Sequence, residues 1–208
     1  ALAFARANID AWMGEIDGEG IDSILVTASG CGTTIKDYGY MLRGDLRYAE
    51  QARKVSTLAR DISEYVNRIN DLKVEPRPRL TVAYHAACSL QHGQRITRQP
   101  KDLLAKLGFS VKDVPEGHLC CGSAGTYNIM QPDIARRLRE RKVGTIERLR
   151  PDVIAAGNLG CITQIAAGTD IPAVHTVELI DWATGGPCPS ALREHRPAAA
   201  MRPSTAAR

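Results

Sequence analysis

Apolar residues recur at near-helical spacing at Leu2, Ala5, Ile9 and Trp12, which predicts an amphipathic helix over 2–13. Gly18, Gly20 and Asp22 interrupt that pattern. SILVTASG (23–30) then reads as a short buried strand entering a glycine loop at Cys31. Over 46–70 the period is helical again, with Ala52, Val55, Leu58, Ala59, Ile62, Val66 and Ile69 on one face. The expectation there is one long helix. VEPRPRL (74–80) is a connector, because repeated proline steps cannot sit in a helix interior.

A second unit opens with LTVAYHAAC (80–88), a strand running into a loop. KDLLAKLG (101–108) is a helix with Gly108 as its stop, and FSVKDVP (109–115) alternates like a strand. HLCCGSAGTYN (118–128) is a glycine-rich loop, and 132–149 is a helix opened by Pro132. DVIAAGN (152–158) is a buried strand, followed by a loop and short helix at LGCITQIAAG (159–168). AVHT (173–176) and VELIDWATG (177–185) close the unit as strand and helix. Strands alternating with helices predict an α/β fold, its mostly parallel sheets flanked by helices. The chain then turns Ala-, Arg- and Pro-rich, and 186–208 reads as a disordered basic tail.

Two segments share a plan. DVIAAGNLGCITQI (152–165) and SILVTASGCGTTI (23–35) each give a buried strand, a small polar turn and Gly-Cys, then Thr two residues on and Ile four on. Cys31 and Cys161 occupy equivalent places. The chain therefore reads as the C-terminal part of one cysteine-rich repeat (1–75) followed by a second, complete one (78–185), the first being N-terminally truncated.

Composition narrows the function classes. The 208 residues are 44% hydrophobic and 24% charged, ordinary for a soluble globular chain. No apolar run approaches the roughly 18–20 residues of a membrane-spanning helix. A net charge of +4 is far short of a nucleic-acid signature, and 5% aromatic residues give no base-stacking platform. Neither a Walker phosphate loop nor GxGxxG after a strand is present.

The six cysteines carry the chemistry: Cys31, Cys88, Cys120, Cys121, Cys161 and Cys188. Cys88 and Cys161 each follow a strand, so a parallel sheet brings them to its carboxyl edge, and the 118–125 loop can close over that rim. Four thiols at one point suit a tetrahedral thiolate site, zinc or iron–sulfur. Adjacent Cys120 and Cys121 can both face such a site from a kinked loop, which Gly122 and Gly125 permit. Single buried cysteines are also common core residues. A catalytic thiol with His85 or His92 as base has no acyl-transfer motif around it. His85, His92 and His118 are candidates for hydrogen bonds to a thiolate. Cys188 reads as an exposed thiol outside the ligand set.

The spacing CxnCCGxnC, with 31 residues between Cys88 and Cys120 and 39 between Cys121 and Cys161, resembles the cysteine-rich CCG domain. That domain occurs in heterodisulfide reductases and in iron–sulfur subunits of respiratory dehydrogenases. ASGCGTTIKDYG (28–39), YHAACSLQHGQ (84–94), LCCGSAGTYNIMQP (119–132) and GNLGCITQI (157–165) most resemble the iron–sulfur subunits of glycolate dehydrogenases (glycolate oxidases). The resemblance implies an oxidoreductase subunit that relays electrons. A flavin subunit would carry FAD and oxidise glycolate or a related 2-hydroxy acid. This chain would pass electrons toward the quinone pool from the inner face of the cytoplasmic membrane, without being catalytic alone. Cys88, Cys120, Cys121 and Cys161 would ligate an iron–sulfur cluster, [4Fe–4S] in type, or zinc in its place. Cys31 would be a metal ligand of the first repeat.

Two departures shape that expectation. The family's ferredoxin-like CxxCxxCxxxCP runs are absent, as a truncated first repeat implies. Heterodisulfide reductase sites end in CxxC, whereas Thr34 and Gln164 stand at the second cysteine position here. Four cysteines per site fit an ordinary cluster or a zinc better than a five-thiolate one. A thiol/disulfide redox module and a zinc-bearing domain that docks other subunits are the alternatives.

Overall fold

The first unit runs through α1 (Leu2–Asp17), β1 (Ile24–Val26), α2 (Ser29–Lys36), α3 (Tyr38–Met41), α4 (Ala49–Leu58), β2 (Ala59–Asp61) and α5 (Ile62–Val66). The second contains β3 (Thr81–His85), a π-helical turn (Ser89–Gly93), α6 (Gln99–Lys106), β4 (Ser110–Asp113), α7 (Tyr127–Met130) and α8 (Pro132–Glu147). It ends with β5 (Val153–Ala156), α9 (Leu159–Ala166), β6 (Ala173–His175), α10 (Thr176–Ala183) and α11 (Ser190–His195). These elements come from a computed structural model that describes residues 1–195.

The expected α/β architecture is present. Strands β4, β3, β5 and β6 form one parallel sheet in that order, with Val82 opposite both Val111 and Val153, and Ile154 opposite Ala173. Alternation divides the sheet's side chains between two cores. Val82, Tyr84, Val153, Ala155 and Val174 pack with Leu103, Leu104 and Leu107 of the α6 side and Leu179 and Ala183 of α10. Ala83, Ile154 and Ala156 pack on the other face with Ile146 of α8, Ile165 of α9, Cys121 and Cys161. A sheet covered on both faces explains why these strands read as apolar runs without alternation.

The first unit carries a separate core of Ala5, Ile9, Ile24, Tyr38, Leu42, Tyr48, Ala52 and Val55. Its strands β1 and β2 pair in parallel, Ile24 opposite Ala59 and Val26 opposite Asp61. Here the long helix expected over 46–70 is corrected. It is cut after Leu58, and 59–61 is extended. Asp61 restarts the helix: its carboxylate accepts the Ser63 amide at 2.9 Å, while Glu64 accepts the Asp61 amide at 3.0 Å. That reciprocal capping box stops the preceding helix from running through.

The same plan recurs in β6 and α10, where His175 and Glu178 form the box. A parallel pair, a helix bearing Gly-Cys after the first strand, and a capping box after the second strand are thus found in both units. The tail is also corrected in part. Residues 190–195 form α11, and Leu192 is buried against the core under the sheet. The remaining tail, 196–208, lies outside the described residues.

The units meet near the sheet's carboxyl edge. The Ser29 amide donates to the Gly157 carbonyl at 3.1 Å, and the Ser29 and Ser89 hydroxyls lie 2.7 Å apart. Gln94 Nε2 donates to the Ser29 carbonyl at 2.8 Å.

Candidate metal centre

Strand β3 sits between β4 and β5, and its last residue is His85. His85 shares the parity of Ala83, so its ring lies on the face that holds Cys121 and Cys161. Cys161 is in the first turn of α9. There the Asn158 side chain caps the helix, accepting the Cys161 amide at 3.2 Å. Cys120 and Cys121 come from the loop between β4 and α7. Gly122 turns that loop at φ +95°, and its amide donates to Cys120 Sγ at 3.3 Å.

One cavity of about 320 Å³ gathers these groups. All four expected ligands, Cys88, Cys120, Cys121 and Cys161, line it, as does His85. No disulfide joins any of the six cysteines. A ligand atom from each of His85, Cys121 and Cys161 lies within 4.8 Å of the other two. Cys120 lies next to Cys121 on the same cavity wall. Cys88 stands at the exposed rim, where the π-helical turn begins.

Cys31 does not join this group. It is exposed on α2, and only its neighbour Gly30 reaches the cavity wall. Cys188 is not the exposed thiol expected from the sequence. It is half-buried and packs against the core beside α6 and α10. His92 and His118 are exposed and line no part of the cavity, so neither acts on a thiolate there. Gln164 is buried and points to α8, donating to the Ala135 carbonyl at 3.4 Å rather than lining the cavity.

Burial governs the electrostatics. Hydrogen bonding to Cys121 and desolvation push the Cys120 thiol up. Cys121 bonds both Cys120, which lowers its pKa, and Cys161, which raises it; with desolvation the net effect carries it up to about 11. Desolvation, helped by the Lys142 charge, takes His85 down to about 4, so its imidazole is neutral near pH 7. Without metal the Cys120 and Cys121 thiols are therefore protonated near pH 7, and His85 is a free base.

His85, a sequence candidate for a hydrogen bond to a thiolate, faces the cavity instead with neither ring nitrogen partnered. Lys142 of α8, which is fully buried, escaped the sequence reading. Its ammonium donates to the Glu116 carbonyl at 2.8 Å. Desolvation pulls its pKa down, while Cys121, Glu116, Cys120 and Cys161 act to raise it. An apolar helix face would have left this position hydrophobic; a lysine there is the one signal the sequence offered.

Fold and cavity together define a class: a doubly covered α/β domain with a thiol-lined pocket at the carboxyl edge of its parallel sheet. Within this chain, residues 82–166 match the family model of the CCG cysteine-rich domain. The chain is 43% identical over 182 residues to the glycolate oxidase iron-sulfur subunit of Escherichia coli (strain K12), covering 88% of this chain and 44% of the relative. It is 26% identical over 193 residues to the probable glycolate oxidase iron-sulfur subunit of Bacillus subtilis (strain 168), covering 87% and 42%. It is 26% identical over 167 residues to lactate utilization protein A of Anoxybacillus flavithermus, covering 76% and 69%. The chain thus spans less than half the length of the two glycolate oxidase relatives.

Proposed function

We propose that this chain is the CCG-bearing part of the iron–sulfur subunit of a glycolate (2-hydroxy acid) oxidase. In this reading Cys88, Cys120, Cys121 and Cys161 hold an iron–sulfur cluster, [4Fe–4S] in type. The observation that carries the reading is the convergence of all four thiols on one cavity at the sheet edge. The similarity to named iron–sulfur subunits supports it. The donor chemistry fits such a group, because soft thiolates in a buried pocket are its usual ligands. Lys142 fits as well: a buried ammonium beside three sulfurs offsets the charge that their deprotonation creates.

The group would supply one-electron uptake and release. The chain's own residues do the rest. The Gly122 amide donates to Cys120 Sγ, and hydrogen bonds to cluster sulfurs tune a potential that spans hundreds of millivolts in such centres. Ala83, Ile154 and Ala156 pack with Cys121 and Cys161 in one buried core, which keeps those two thiols out of water. Electrons would arrive from a flavin-bearing partner and leave toward the quinone pool, with the complex on the inner membrane face. Among the described residues no helix is long and apolar enough to cross a membrane. Residues 1–75 and 78–185 are read as two CCG repeats, which the recurring strand pair and capping box support. Cys31 is assigned to a separate centre of the first repeat.

One observation favours a second reading. His85, Cys121 and Cys161 are compact enough to serve a single ion, and a nitrogen–sulfur set of this kind suits structural zinc. Anaerobic purification followed by iron, sulfide and zinc analysis on one sample separates the two. The cluster reading expects about four irons and four sulfides per chain. One zinc without sulfide would make the domain structural.

A further inference from the structure

We infer that His85 is itself an iron ligand of this centre, making its donor set a mixed nitrogen–sulfur one. The inference rests on the cluster reading above and revises its ligand set, putting His85 in the place given there to Cys88. His85 is 2% exposed, and neither ring nitrogen has a hydrogen-bond partner. Buried polar groups almost always find partners, and an unmet one costs about 1–3 kcal/mol. A ring with both nitrogens unmet, held at the end of a strand paired on both sides, therefore needs an occupant to face. The occupant's position is marked: a donor atom of the ring lies within 4.8 Å of those of Cys121 and Cys161. Cys88, the sequence neighbour with the stronger expectation, is exposed and belongs to no such group. His85, Cys121 and Cys161 thus form the inner set, Cys120 lines the cavity next to Cys121, and Cys88 stands at the solvent edge.

Ligation asks little of the ring. A neutral imidazole donates a nitrogen lone pair and releases no proton, so replacing a thiolate with it leaves the centre one negative charge poorer. Fewer negative ligands raise a cluster's reduction potential, as histidine does in Rieske centres.

The test uses the full chain, loaded anaerobically, with histidine unlabelled or 15N-labelled. Iron and sulfide are counted first, then pulsed EPR is recorded on the reduced protein. The expected result is a nitrogen hyperfine coupling that changes with the label and is lost in His85→Gln. His85→Cys should keep iron and sulfide, lack the nitrogen coupling and show a lower midpoint potential. The labelled wild-type spectrum alone is decisive if a variant fails to fold. Full iron and sulfide with no histidine nitrogen coupling would overturn the ligand assignment and leave the cluster reading standing. Zinc without sulfide would overturn both.

Discussion

An added Cβ on Gly122 would stand 2.3 Å from the backbone carbonyl oxygen of Ala135 and 3.1 Å from its carbon. The CCG loop therefore lies directly on the first turns of α8, and only glycine allows that approach. Gly122 also has φ +95°, where side-chain-bearing residues are strained. Gly122→Ala is expected to cost about 1–3 kcal/mol from the backbone alone, with the clash added. It should also move Cys120 and Cys121 off the cavity. Thermal denaturation together with metal content measures both effects. Native-like loading in this variant would show that the loop can rebuild without its glycine.

The cysteines should rank by depth. Cys121 is 1% exposed and Cys161 5%, while Cys88 is exposed. Cys121→Ser should abolish the metal centre, because a buried serine oxygen is a poor substitute for a thiolate on soft metal. Cys88→Ser should lower occupancy only in part. Cys31→Ser should leave this centre's metal intact, and Cys188→Ser likewise. Iron, sulfide and zinc per chain are the readout, and equal losses in Cys88→Ser and Cys121→Ser would refute the ranking.

The pattern of the chain disclosed the second unit well and the first less so. Strands β3, β5 and β6 are apolar runs bounded by Gly, Pro or Asp, and each follows from the sequence. Strand β2 does not, because Ala59 and Ile62 suit a helix face as well as a strand ending in a turn. The capping box that restarts the helix there depends on Asp61 and Glu64 both reaching backbone amides. Helix α11 is six residues long in an Ala/Pro-rich stretch, and only the burial of Leu192 against a distant core fixes it. At the site, strand ends brought Cys88 and Cys161 to one rim as expected. The burial of His85 and Lys142 depends on what α8 and the CCG loop pack against, which spacing in one chain does not encode.

Lys142 should act as the charge partner of the thiolates. Metal-free, it is a fully buried cation, so Lys142→Met should be neutral or slightly stabilising in urea unfolding. With metal bound, the variant leaves the thiolate charge less compensated. A charge-assisted contact of about 1.5–3 kcal/mol corresponds to a loss of metal affinity of roughly tenfold or more. The midpoint potential should fall as well. Lys142→Arg, which keeps the charge but not the fit, should recover potential better than stability. An unchanged affinity and potential in Lys142→Met would remove the lysine from the site's electrostatics.

Acid should destabilise the metal-free chain through His85. Its folded pKa is about 4, below the ordinary 6.5, because desolvation and the Lys142 charge oppose a second positive charge there. An unfolded chain thus takes up the proton at a higher pH than the folded one. The stability His85 contributes is complete above about pH 6.5, is lost as pH falls toward 4, and levels off below that. The full span is on the order of 3 kcal/mol for a group this buried. His175, also lowered by desolvation, adds a loss of the same sign, while Asp61, raised by desolvation, adds one of the opposite sign. Both are unchanged in His85→Gln, so the difference between variant and wild type isolates the ring. Urea midpoints should converge as pH falls from about 7.5 to about 4.5, the wild type losing more. Parallel curves would mean that the cavity already admits a proton to His85, and that water reaches the floor of the metal pocket.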